Sequence, residues 1–179
     1  MGEVFHPRPV LLIAAAFSRH DDALVWARDT LAEQWGRAVL ESTPFAHAQT
    51  DYYDVEMGTG LRKQFFAFED LIDPATLPEK KHQSNRWESE YQQRADHSEK
   101  RPLNIDPGYI TQSKLVLATT KNHSHRIYLQ DGIYAEITLR YHKKQWCEHP
   151  WTYPDYRQPA YHAFFTQCRD YLRSCGREL

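Results

Sequence analysis

The chain has 179 residues, 41% hydrophobic and 26% charged, enough for one domain with a real core. A net charge of −2 gives no global basic field for nucleic acid and no acidic tail. Cys147, Cys168 and Cys175 lack metal-type spacing, and on a helix the last two would stand ~10 Å apart, which excludes a disulfide scaffold and reads as a reduced, cytoplasmic protein.

Residues 10–17 are a continuous apolar run, fit for a first strand buried on both faces and far too short for a membrane span. A polar loop, 18–22, then caps a helix marked by Leu24, Ala27, Leu31 and Trp35 and closed by Gly36. The loop lies where sheets with helices often bind ligands, but it has no glycine for a phosphate cradle. Residues 38–45 read as a second strand. Residues 62–72 read as a third, with Phe66, Phe68 and Asp70 on one face and Phe65, Ala67 and Glu69 on the other. Residues 78–99 form a polar helix anchored by Trp87 and Tyr91, and 103–105 a short strand running into an Asp106-Pro107-Gly108 turn. The order strand–helix–strand–strand–helix–strand is that of a ferredoxin-like split unit.

Residues 111–120 read as a short buried helix capped by Thr111. Residues 124–129 and 133–141 form a hairpin. A two-residue Asp131-Gly132 turn would set Ile127 opposite Glu136. A three-residue loop from Gln130 sets Leu129 opposite Ile133 and Ile127 opposite Ala135, and only this keeps one face apolar. It places Arg126, Tyr128, Tyr134, Glu136, Thr138 and Arg140 on one polar face, and His125 on the apolar face opposite Ile137. A proline- and aromatic-rich loop, 142–157, leads to a last helix from Pro159 to Gly176, with Tyr161, Phe164, Phe165, Cys168, Leu172 and Cys175 as its buried stripe. The expected fold is a single α+β domain over residues 1–179: a mixed or antiparallel sheet packed by helices, a ferredoxin-like half followed by a hairpin and a helix.

Several segments carry a family likeness: Asn104-Ile105-Asp106-Pro107-Gly108-Tyr109, the run from Lys114 to Lys121, His125-Arg126-Ile127-Tyr128-Leu129, Gly132-Ile133-Tyr134-Ala135-Glu136 and Trp151-Thr152-Tyr153-Pro154-Asp155-Tyr156. In these the chain resembles a bacterial family, domain of unknown function 4416, with weaker likeness back through Tyr53, Glu56, Met57 and Gly58 to the first strand. Members are sometimes labelled GTP-binding proteins. The chain itself has no GxxxxGK(S/T) cradle and no guanine-specificity motif.

The resemblance implies no activity, so candidate chemistry is read from the residues. Asn104, Asp106 and Tyr109 frame the Pro-Gly pair, where Asp106 either faces a ligand or satisfies its own turn. Arg126, Glu136 and Arg140 suit a planar anion, or else form a cross-strand ion pair, and Lys114 and Lys121 lie near. His123 and His125 with Asp106 or Glu136 suit a metal or acid/base site, against which stands the ordinary core histidine. No HExxH, CxxC or DxDxD spacing is present, so no metal ligand is assigned. Tyr52, Tyr53, Asp54 and Glu56 form an acidic-aromatic loop near Arg62 and Lys63, with a plain surface loop as the alternative.

The expected function is binding of a small anionic molecule, phosphate- or carboxylate-bearing, nucleotides included. Glu56, Asn104, Tyr109, Lys114, Arg126 and Arg140 would bind it, with Asp106 or Glu136 as the acid/base in any chemistry. The rival is a non-catalytic module that docks a protein partner through the aromatic loop 146–156. Neither nucleic acid nor membrane is an expected partner.

Overall fold

The computed structural model describes residues 2–47, 54–94 and 96–176. In chain order the elements are β1 (Val10–Ser18), α1 (Asp21–Trp35), β2 (Ala38–Glu41), β3 (Phe45–Ala46), α2 (Asp54–Met57), β4 (Arg62–Ile72), α3 (Leu77–Arg94), β5 (Asn104–Ile110) and β6 (Lys114–Thr119). They continue with β7 (Ile127–Gln130), β8 (Ile133–His142), β9 (Gln145–Glu148) and α4 (Pro159–Cys175). The strands form one nine-stranded sheet in the order β2-β4-β1-β5-β6-β8-β7, with β3 on β4 and β9 on β8. Every pairing is antiparallel.

The run β2-β4-β1-β5, with α1 and α3 on one face, is the ferredoxin-like half of this α+β fold. The remaining strands extend it from the β5 edge. Central β1 is apolar from Val10 to Phe17 because both its faces are covered. Leu12, Ala14 and Ala16 pack under α1 and α3, while Leu11, Ile13 and Ala15 pack under α4. The α4 stripe of Tyr161, Phe164, Phe165, Cys168 and Leu172 is buried as its spacing predicts, and Cys175 is half-buried. Among the described residues no helix is long and apolar enough to cross a membrane.

Four local expectations are corrected. Residues 111–120 are not a helix: Lys114–Thr119 is strand β6, because Leu115 and Leu117 face α4 while Val116 and Ala118 join Leu77 on the other side. A short run buried on both faces carries no period of its own, and pairing with β5 and β8 decides it. The strand expected over 38–45 splits into β2 and β3, since the chain turns at Ser42, whose hydroxyl accepts from the Phe65 N–H at 2.9 Å.

In the hairpin, Asp131 (φ 50°) and Gly132 (φ 77°) form a two-residue turn, which sets Gln130 opposite Ile133. A register shift at Leu129 then restores the expected Ile127–Ala135 pairing. The expected division of faces holds only in part: Ile133 is buried as expected, but Ile127 is 71% exposed, and Glu136 and Thr138 on the expected polar face are buried. The loop after β9 covers their side, with Trp151 Nε1 donating to the Ile137 carbonyl and the Thr152 hydroxyl to that of Thr138. His125 precedes β7 and turns to Glu136 instead of lying opposite Ile137.

Finally, Asp106-Pro107-Gly108 is no turn; it lies within β5. Its effect is on the neighbouring strand, and it creates the site.

Candidate functional site

β5 and β6 pair only from Gly108–Leu117 to Ile110–Leu115. The Thr111 N–H donates to the Lys114 carbonyl, so this is a hydrogen-bonded pair. Such pairs recur every second residue in an antiparallel ladder. The next are Tyr109 with Val116 and then Pro107 with Ala118. Proline has no N–H to give, and the ladder stops there. Just above, β6 passes so close to Gly108 that a Cβ would lie 2.3 Å from the Val116 carbonyl oxygen. Below, the strands part and a cleft of about 620 Å³ opens between them.

Helix α3 fills the missing strand's place from beneath. The Ile105 N–H, which has lost β6, donates to Glu88 Oε1 at 2.8 Å, and the Ile105 carbonyl accepts from Lys81 Nζ at 3.1 Å. Lys81 and Glu88 lie two helical turns apart on the stripe that also holds Leu77, Ser84 and Tyr91. Lys81 Nζ further donates to Asp106 Oδ1 at 3.0 Å. Burial pushes the Asp106 carboxyl up, but Lys81, Lys63 and Arg101 outweigh it and hold it below the usual range. Burial likewise disfavours the charged Lys81, and Asp106 and Glu88 more than restore it. Glu88 ends with a raised pKa: burial dominates, and Lys81 and Arg101 offset only part of it.

The opposite wall comes from β4 and the segment before α4. Lys63 sits on the α4 face of β4, in line with Phe65 and Ala67, and donates to Asp155 Oδ2 at 2.5 Å. His47 Nδ1 lies 3.3 Å from the same oxygen. Burial opposes the Asp155 charge, yet Lys63 and His47 bring its pKa down to about 2. Next to it Tyr156 lines the cleft, and its buried hydroxyl has no hydrogen-bond partner among the described residues. The same holds for the Asn104 amide nitrogen, although Asn104 Oδ1 accepts from Arg101.

The residues singled out in the sequence are distributed unevenly. Asn104, Asp106, Arg126, Lys121 and His123 line the cleft. Glu56 stands at its margin through Arg101, 3.2 Å away. Glu136 is behind the wall, its carboxylate held by Arg126 Nε at 2.7 Å and His125 Nε2 at 3.1 Å. Arg126 also donates to the Tyr153 hydroxyl at 2.7 Å and the Lys121 carbonyl at 3.0 Å, so every guanidinium nitrogen already has a protein acceptor. Tyr109 and Lys114 lie at the other end of the sheet, in a groove of about 870 Å³ with Arg8 and Leu172. Arg140 is exposed beside Lys114 on β8 and lines neither groove. Tyr52, Tyr53 and the Asp54 side chain lie outside the described residues. Of the loop 146–156, Trp146 is buried and Trp151 partly exposed.

Sequence reasoning missed Lys63, Lys81, Glu88, Arg101, Asp155 and Tyr156 as site residues. The signal was present for three of them. Lys63 alternates with Phe65 and Ala67 on a buried strand face, and Lys81 and Glu88 interrupt the buried stripe of α3.

No curated protein and no solved structure matches the chain. The family model described as a domain of unknown function, DUF4416, matches residues 8–171. That span holds the whole cleft, and with it the chain belongs to the domain of unknown function 4416 family.

Proposed function

We propose that the cleft between β5 and β6 binds a small anionic molecule bearing phosphate or carboxylate, nucleotides included. The observation that carries this reading is the pair of buried donors on residues that line the cleft, the Asn104 amide nitrogen and the Tyr156 hydroxyl, without partners among the described residues. A buried polar group left unpaired costs about 1–3 kcal/mol, so a ligand acceptor there is favoured. Charge supports the same sign of ligand: Lys63, Lys81, Arg101, Lys121 and Arg126 line the cleft against Glu88, Asp106 and Asp155. The volume of about 620 Å³ falls in the range of small-molecule sites.

The test is a melting-temperature screen of the purified protein with inorganic phosphate, nucleotides, sugar phosphates and small carboxylates. One anion class should stabilise in a dose-dependent way, by roughly 2.7 kcal/mol at a hundredfold excess over Kd. Asn104→Asp keeps the oxygen that Arg101 binds and removes the free donor, so it should abolish the response while folding. A flat screen would overturn the reading.

A second reading, a module that docks a protein partner, is favoured by a separate observation. Ile127, Tyr128, Leu129, Ile137 and Trp151 are exposed apolar groups at the β7 edge of the sheet. Retention of a partner that is lost on Ile127→Ser and Trp151→Ala, with the anion screen flat, would favour it.

A further inference from the structure

A second group of ligand-type side chains lies away from the cleft, where β1 ends. The chain passes from Ser18 into α1 at Asp21, and the segment after α3 returns across this end of the sheet. Each passage carries a histidine two residues before a carboxylate: His20 with Asp22, and His97 with Glu99. The pairs cross over. His20 Nε2 lies 3.0 Å from Glu99 Oε2, and His97 Nε2 lies 3.1 Å from Asp22 Oδ2. The two imidazole rings stack with centroids 3.8 Å apart and planes 17° from parallel. Ligand atoms of His20, Asp22 and His97 all lie within 4.8 Å of one another.

Two imidazoles and an acidic side chain from chain passages far apart in sequence therefore converge on one small volume. Glu99 lies beside this group, its Oε2 on His20 and its Oε1 3.0 Å from Arg19 Nη1. This is a donor set that a divalent cation takes together, imidazole nitrogen with carboxylate oxygen. The supporting layer of such a site is also present. The Tyr91 hydroxyl donates to Asp22 Oδ2 at 2.8 Å and lies 3.1 Å from His97 Nε2, fixing these two side chains to each other, and Arg19 holds Glu99 through Oε1.

We propose that His20, Asp22 and His97 form a binding site for a divalent transition-metal ion, with Glu99 beside His20 at its edge. The donor set names the class: imidazole nitrogen with carboxylate oxygen suits Zn²⁺, Mn²⁺ or Fe²⁺, whereas Mg²⁺ and Ca²⁺ take oxygen alone. Bonds of about 2.1 Å place donors sharing one ion ~3.4 Å apart, so closure by roughly an ångström completes the site. None of the three residues lines the cleft, so this site stands apart from the anion reading.

The experiment uses tag-free full-length protein, stripped with chelator and titrated with Zn²⁺, Co²⁺, Mn²⁺ and Mg²⁺ by calorimetry, with melting temperature measured in parallel. One equivalent of Zn²⁺ or Co²⁺ should bind and raise the melting temperature, Mg²⁺ should not, and the Co²⁺ form should show visible ligand-field bands. His20→Ala and His97→Ala should each weaken binding by more than the about 10–100-fold that even outer-shell changes cost. His142→Ala, at an exposed position on β8, should bind as the parent does. Where a histidine variant fails to fold by circular dichroism, Asp22→Asn, whose side chain is 66% exposed, removes a ligand charge without disturbing the core and should weaken binding in the same way. Absence of stoichiometric binding, or binding unchanged in the folded variants, would overturn the site.

Discussion

Tyr156→Phe separates a ligand-facing hydroxyl from a structural one. Tyr156 is 2% exposed, and its ring packs against Phe65, Tyr161 and Phe165 at centroid distances of 5.8, 5.8 and 5.9 Å. Phenylalanine keeps all of that packing and removes one oxygen. Since the hydroxyl has no partner among the described residues, its burial costs about 1–3 kcal/mol, and deleting it should return up to ~2 kcal/mol. For a chain of this length each kcal/mol moves the melting temperature by about 2–4 °C, so the variant should melt between 0 and about 8 °C higher. A hydrogen bond to a charged ligand is worth about 1.5–3 kcal/mol, so calorimetric affinity for the anion found in the screen should fall about 10- to 100-fold. The variant should thus gain stability as it loses binding. A melting temperature more than about 3 °C lower would show that the hydroxyl is already bonded in the free protein. Unchanged affinity would show that it does not face the ligand.

Arg126→Ala strips the main cation from fully buried Glu136 and should cost about 3–5 kcal/mol in urea unfolding; a loss below about 1 kcal/mol would mean His125 alone suffices. Gly108→Ala sets a methyl 2.3 Å from the Val116 carbonyl oxygen, and should cost at least about 2 kcal/mol of melting stability unless β6 detaches freely. Asp155, with its pKa lowered to about 2 against 3.8 unfolded, contributes roughly 2 kcal/mol above pH ~4. That contribution should fade as pH falls from about 4 to 2, so the stability gap between the parent and Asp155→Asn should narrow over that window. A gap independent of pH would refute the assignment.

What the sequence made legible were features whose signal is local. Strand β4 has the expected bounds because Phe65, Phe66 and Phe68 alternate between two faces that both need covering. Helix α4 follows from its stripe, and the ferredoxin-like order from the succession of elements. Asn104 and Asp106 were legible as site residues because of the Pro-Gly pair beside them. Its meaning was not, since a turn and an interrupted ladder have the same local text and only the register on β6 separates them. The hairpin faces were legible only in part for a related reason: alternation divides β8 into two faces, but each is covered over part of its length, Ile133 by Leu77 and Val116, Glu136 and Thr138 on the side of the loop from Trp151. The crossed histidine–carboxylate pairs carry no ligand-spacing motif because the two halves come from passages 77 residues apart, His20 and His97.

The buried charges around the cleft argue against a purely structural reading of it. A buried ion pair rarely stabilises more than well-packed apolar residues of similar size, because desolvation consumes the Coulombic gain. Lys81 and Glu88 have a structural task, since they take the Ile105 backbone groups that β6 abandoned. Yet the abandonment itself follows from Pro107, and a residue with an N–H there would let the ladder continue to Ala118 and leave those groups paired within the sheet. Lys63 and Asp155 bind each other rather than a stranded backbone group of β5; they hold opposite charges on the cleft wall near two donors unpaired among the described residues. A chain selected for stability alone would close the sheet and fill this wall with hydrocarbon. Interrupting the ladder and then bracing the gap with ion pairs makes physical sense if the gap itself is used, which is what anion binding there requires.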